Sequence, residues 1–206
     1  EALRIVNAAV SSGNEKIVEQ AVNQGAIDIS VSAMRTAETT SDIVMMTTAC
    51  CSIVEQTNTN AGASLALRKG ATRQLISMLK NHGDDSKYTD CISMALTVLQ
   101  RVSKGSESDR EALTKQNCSD VIMSSVMPHL SPNDTNGVNN KLICSDILSK
   151  CVTTEQAQTH MTTLQSIASG EVTDPTSIVM TIGVVSNLAS VKENSAMLAE
   201  SGVASS

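Results

Sequence analysis

Apolar residues recur at intervals of three and four along most of this chain, the spacing that gathers them on one stripe of an α-helix. The stripes come in a fixed order. A short amphipathic stretch ends at a glycine, a second begins at once, and a longer one follows after a polar loop. Three stretches show the first half of this unit: VNQGAIDISVSAMR, LRKGATRQLISMLK and LAESGVASS, bent at Gly25, Gly70 and Gly202. Gly25 and Gly70 are 45 residues apart. A further 47 residues on stands Asn117, the residue type that best replaces glycine where φ must be positive. From Asn117 to Gly202 is 85 residues, near two such intervals, so a degenerate junction is expected near Thr159 and His160.

The second helices align at the same offset. Val31, Ala33 and Met34 fall on Ile76, Met78 and Leu79, with Ile122, Met123 and Val126 in the matching window of the third unit. The longer third helices are SDIVMMTTACCSIVEQ, KYTDCISMALTVLQRVSK, GVNNKLICSDILSKCV and PTSIVMTIGVVSNLASV. Superposing Ile53, Leu99, Ile147 and Leu188 gives spacings of 46, 48 and 41. Asp174 before Pro175 is a cap followed by a first-turn proline. NHGDD, SKGSESD and SPNDTNG read as loops between units. The reading is therefore all-α, a single array over 1–206. The end of one repeat occupies 1–12, repeats follow at about 13–56, 57–105, 106–153 and 154–191, and a partial one closes the chain at 192–206. A three-helix unit this small cannot bury its stripe alone, so neighbours must stack and share one core. EALRIVNAAV reads as helix interior and ESGVASS as the approach to another helix, so a segment of a longer protein is expected.

Composition narrows the core. The chain is 41% hydrophobic but holds no Phe or Trp and one Tyr, Tyr88. Leu, Ile, Val, Ala, Met and Cys must fill it, a palette that suits ridges packed into grooves better than the cross-strand pairs of a sheet. Ten Met serve as gap-fillers. The six cysteines form no CxxC pair and sit among apolar neighbours, which predicts reduced, buried thiols and a cytoplasmic, reducing compartment. A net charge of −6 argues against nucleic acid as partner, and no apolar run is long enough to span a bilayer.

A short helix bent through glycine into a second, then a long third, resembles the armadillo repeat. NQGAIDISVSAM, RKGATRQLISML and VVSNLASVKENSAMLAESG carry the likeness best. The resemblance implies a right-handed α-solenoid of about four three-helix repeats with truncated ends, its third helices lining a concave groove that holds extended peptides. HEAT repeats, with two helices, are the near alternative. Import-type members of the family place a Trp and, four residues later, an Asn on successive third helices. Here the Trp positions hold Thr48, Met94, Leu142 and Gly183, and the Asn positions hold Ser52, Val98, Asp146 and Asn187. That ladder is absent, so reading of basic localisation peptides by it is not expected.

Thr48, Ser52, Met94, Arg101, Asp146, Lys150 and Asn187 are the third-helix residues the core does not require, and they are the candidate partner-binding set. Catalytic chemistry has little to stand on. His82, His129 and His160 fall in separate loops without acids or cysteines at ligand spacing, so no metal or other cofactor is expected. Cys118 lies at a helix start that favours a thiolate, but no base stands nearby in sequence. There is no GxSxG elbow, and the glycine-containing loops are acidic rather than phosphate-cradling. Asp84 and Asp85 read as a solvated loop that a basic partner would suit, and the sequons at Asn117 and Asn133 as chance. The expected function is a non-enzymatic scaffold that binds a protein partner, a peptide or a helical segment, in the groove. The alternatives are a structural element that self-associates or packs on a cytoskeletal or ciliary lattice, and a helical enzyme or regulatory domain with a ligand pocket between repeats.

Overall fold

The computed structural model describes residues 14–56, 60–131 and 134–151, with isolated positions between 162 and 185. Every regular element among the described residues is helical. The first group is α1 (Glu15–Asn23), α2 (Ala26–Thr36) and α3 (Thr40–Gln56). The next is α4 (Asn60–Arg68), α5 (Ala71–His82) and α6 (Thr89–Ser103), with a 3-10 turn at Ser86–Tyr88 before α6. Then come α7 (Glu107–Lys115), α8 (Cys118–Val121) and α9 (Thr135–Cys151). After α8 the chain runs on as a π-turn, Ile122–Val126, and a 3-10 turn, Met127–His129.

One local feature joins the first two helices of each group. Gly25 and Gly70 hold φ of 88° and 80°, and Asn117 holds 56°. That left-handed step is open to glycine, and to asparagine at modest cost, and it turns the chain between helices within two residues. Starts elsewhere are capped by side chains. Asn14 accepts from the Lys16 amide, and Ser106 and Asp109 form a reciprocal capping box at α7.

Packing repeats the order of the sequence. Second helices pack on second helices, α2 on α5 and α5 on α8 with its π-turn; third helices do the same, α3 on α6 and α6 on α9. The first helices α4 and α7 also touch. Side-chain hydrogen bonds cross these seams between residues about one interval apart. Ser64 donates to Asp109 at 3.0 Å, Thr72 to Gln116 at 3.0 Å, Tyr88 to Thr40 at 3.2 Å, Gln100 to Asp146 at 2.6 Å and Asn140 to Ser93 at 2.8 Å, over separations of 44–48 residues. Each contributes about 1 kcal/mol net.

The core is one continuous aliphatic and thiol cluster. Ile53, Leu99 and Ile147, at corresponding places on α3, α6 and α9, are all fully buried. Removing a Leu or Ile side chain from water contributes about 1.5–3 kcal/mol, so these positions outweigh the polar links between groups. All six cysteines are free and buried, Cys50 and Cys51 both included. Tyr88 is buried too, its ring centred 4.3 Å from that of His82. No helix among the described residues is long and apolar enough to cross a membrane.

Candidate interaction surface

The third helices bury one side and turn the other outward, so their sequence decides what a partner meets. On α3, Thr48 is half-buried beside the Cys91 thiol, and Ser52 is half-buried one turn on. On α6, Met94 is half-buried and packs against the core, while Arg101 is exposed. Asn187 and the expected junction at Thr159–His160 lie outside the described residues, as do Gly202, His160 and Asn133. Gly170, at φ 79°, is a further left-handed glycine ten residues beyond that junction.

Asp146 and Lys150 come together on α9 as an ion pair one turn apart. Lys104, just past the end of α6, reaches the other Asp146 oxygen at 3.0 Å, and Gln100 donates to the same oxygen. Burial acts to raise the Asp146 carboxyl, but hydrogen bonds from Lys150 and Lys104, the Lys150 charge and the Gln100 amide together hold it below the ordinary carboxylate value. This carboxylate is thus the knot between α6 and α9. The residue after Gln100 on α6 faces the opposite way: Arg101 donates to the Glu55 carbonyl at 3.0 Å, closing one of the orphan carbonyls at the end of α3. Adjacent residues of one helix therefore link it to both neighbours, a double role that sequence alone did not reveal.

The most exposed apolar groups on α9 are Val138, 46% exposed, and Leu142, 66% exposed, one turn apart. Leu142 occupies the place on α9 that Met94 holds on α6 and Thr48 on α3. The register found it, but the candidate set left it out because exposure cannot be read from spacing.

The remaining sequence candidates resolve plainly. Cys118 is fully buried, and burial followed by the neighbouring Cys151 and Cys144 thiols pushes its ionisation well above the ordinary thiol value. The helix start does not yield a reactive thiolate here, because desolvation outweighs the dipole. His129 is exposed in the Met127–His129 turn. It borders a cleft of about 220 Å³ with Asp84, Asp85 and Asp134. Two of those acids already cap backbone: Asp85 accepts from the Lys87 amide and Asp134 from the Gly137 amide at 2.6 Å. Among the described residues no three His, Cys, Asp or Glu stand together as a metal site.

A second cleft, of about 270 Å³, lies where α2 and α5 meet the start of α3. Arg35, Gln74, Ser77 and Asn81 line it, and so does Thr47, which is fully buried with its hydroxyl unpaired. Sequence reasoning passed over it, although Gln74, Ser77 and Asn81 form a polar stripe at helical spacing on α5. No protein-family model, curated protein or solved structure matches this chain.

Proposed function

We propose that this chain is a right-handed, armadillo-type α-solenoid of about four three-helix repeats, and that it works as a non-enzymatic scaffold holding a protein partner on its third-helix face. The seams support the solenoid reading. Like helix meets like helix one interval along, and hydrogen bonds join residues 44–48 apart. Among the described residues, α2 and α8, or α3 and α9, two intervals apart, share no extensive packing. A closed bundle would bring such helices together; an array leaves one long open face.

The observation that carries the binding role is Leu142, two-thirds exposed in the middle of α9 and in register with Met94 and Thr48. With Val138 one turn away, Leu142 forms an exposed apolar pair whose burial by a partner contributes contact energy. Thr48, Ser52 and Arg101 border the same stripe, and Lys150 and Asp146 supply charge at its end. With no aromatic anchors the face lacks the usual hot-spot residues, so one segment binds with modest affinity and a longer array adds avidity. Reduced, buried thiols support a reducing, cytoplasmic setting.

The test is quantitative capture with the intact chain, its R101E/L142E variant and a control changed on a first helix, E111K. The reading expects partners common to the wild type and the control to be lost from R101E/L142E. Partners retained by R101E/L142E place binding elsewhere. The same exposed Val138–Leu142 pair favours a second reading, self-association; a solution mass that rises with concentration in the wild type and stays monomeric in L142E supports that one instead.

A further inference from the structure

Thr47 is the point of departure. Its hydroxyl is fully buried and has no hydrogen-bond partner among the described residues, and the residue lines the cleft between α2 and α5. An unpaired buried hydroxyl is costly, and its persistence at a cavity wall calls for an explanation in terms of what enters the cavity. The rest of the wall is solvated and open to a ligand: Arg35, Ser77 and Asn81 are exposed and Gln74 is half-buried. The side chains of Arg35, Gln74, Ser77 and Asn81 make no hydrogen bond or ion pair among the described residues, although polar groups elsewhere across the seams are paired. Among the described residues no carboxylate lines the cleft. The nearest acid on α3, Asp42, is engaged by the Thr39 hydroxyl at 2.7 Å.

We propose that this cleft is a second binding site, and that it takes the carboxylate side chain of an acidic peptide segment. An unpaired guanidinium, two amides and two hydroxyls offer a surplus of donors, and a carboxylate accepts about four hydrogen bonds. Met34 and Met78 on the same wall give an adaptable apolar bed for the methylene stem of a glutamate. At about 270 Å³ the cleft falls below the size of ordinary small-molecule pockets and suits one inserted side chain. The C-terminal turns of α2 and α5 end beside it, and their dipoles disfavour an anion. Contact with Arg35 must overcome that, which makes the guanidinium indispensable. The site lies between second helices, off the third-helix face, and does not rest on the reading of that face.

The experiment is a heptapeptide array with random flanks and every residue type at the centre, probed with the 206-residue chain and with Arg35→Met and Thr47→Val variants. Peptides centred on Glu or Asp are expected to be retained over those centred on Gln, Leu or Lys. Loss of about tenfold or more is expected in each variant, the size of a charge-assisted hydrogen bond. Thr47→Val should melt no lower than the wild type, which separates a lost contact from a lost fold. Methyl spectra of the chain with the best-retained peptide should shift Met34 and Met78 and leave Met94 in place. No acidic preference, an acidic preference that survives Arg35→Met, or shifts confined to Met94 would each overturn the proposal.

Discussion

The bends at Gly70 and Asn117 begin alike and end differently. Each holds one left-handed residue between a first and a second helix. After Gly70, α5 runs 12 residues. After Asn117, α8 lasts 4 before the chain widens into the π-turn and tightens into the Met127–His129 turn. Pro128 has no amide to give the Ser124 carbonyl, so regular helix cannot continue there. The neighbouring group presses on the same place: a Cβ built on Gly83, just past α5, would stand 2.2 Å from the Ser125 carbonyl oxygen. A bend is thus decided by one residue, whereas the helix after it is shaped by what packs against it.

Changing the contact should matter more than changing the bend. Gly83→Ala has to move backbone at both Ser125 and Leu79, whose carbonyl would lie 2.5 Å away, and is expected to cost about 3 kcal/mol, the upper range for overpacking. Urea denaturation checks it; a loss below that of Gly70→Ala would break the comparison. Gly70→Ala meets only the Arg35 guanidinium, in ordinary contact at 3.8 Å, but must hold φ at 80°, so about 1–2 kcal/mol is expected. Asn117→Gly relieves the strain of a side chain at φ 56° and loosens the unfolded chain, and the two should nearly cancel, within about 0.5 kcal/mol.

A second pair sharpens the contrast between seams. Ser93 stands on α6 where Thr47 stands on α3. The Ser93 hydroxyl donates to the Thr89 carbonyl and accepts from the buried Asn140 amide, while that of Thr47 has no partner. Opposite signs follow. Ser93→Ala strands the Asn140 amide and should destabilise by about 1–2 kcal/mol, whereas Thr47→Val should stabilise by about 1 kcal/mol. Matched signs in thermal unfolding would mean the two seams are not built as described.

The smallest effect expected is on acid stability. Burial alone would raise the Asp109 carboxyl, but the Ser106 hydroxyl and amide, Ser64 and the Arg68 charge hold it below its ordinary 3.8, and Asp146 is lowered likewise. A depressed folded value gives stability that is complete above the unfolded value and is lost as pH falls through the folded one. Ser64→Ala or Lys104→Met should therefore cost a little stability near pH 7 and leave it unchanged below the folded value, flattening the fall of stability with acid. A loss as large in acid as near pH 7, in both variants, contradicts the assignment.

How much was legible in the sequence follows from the range of each interaction. The left-handed steps at Gly25, Gly70 and Asn117 were visible because a single residue determines them. The buried places of Ile53, Leu99 and Ile147 were visible because a helical stripe repeats locally. The π-turn was not, although Pro128 was there to stop regular helix, since the close approach of Gly83 to the Ser125 carbonyl is a contact between groups. Nor were the roles of Asp146 and Arg101, which look like free surface charges until α3, α6 and α9 are side by side. The α2–α5 cleft needs two helices an interval apart, although the stripe of Gln74, Ser77 and Asn81 was there to be seen.

The stacking of groups one interval apart is the claim on which the rest depends, and zero-length carbodiimide cross-linking of the monomer tests it most directly. Lys69 lies 2.8 Å from Asp28 across the first seam, and Lys104 lies 3.0 Å from Asp146 across the second. Mass spectrometry should recover Asp28–Lys69 and Lys104–Asp146 as the principal links between groups, beside the within-helix pairs Asp146–Lys150 and Glu111–Lys115. Links that skip an interval, such as Asp28 to Lys115, with neither seam pair recovered, would show a closed bundle and contradict the solenoid.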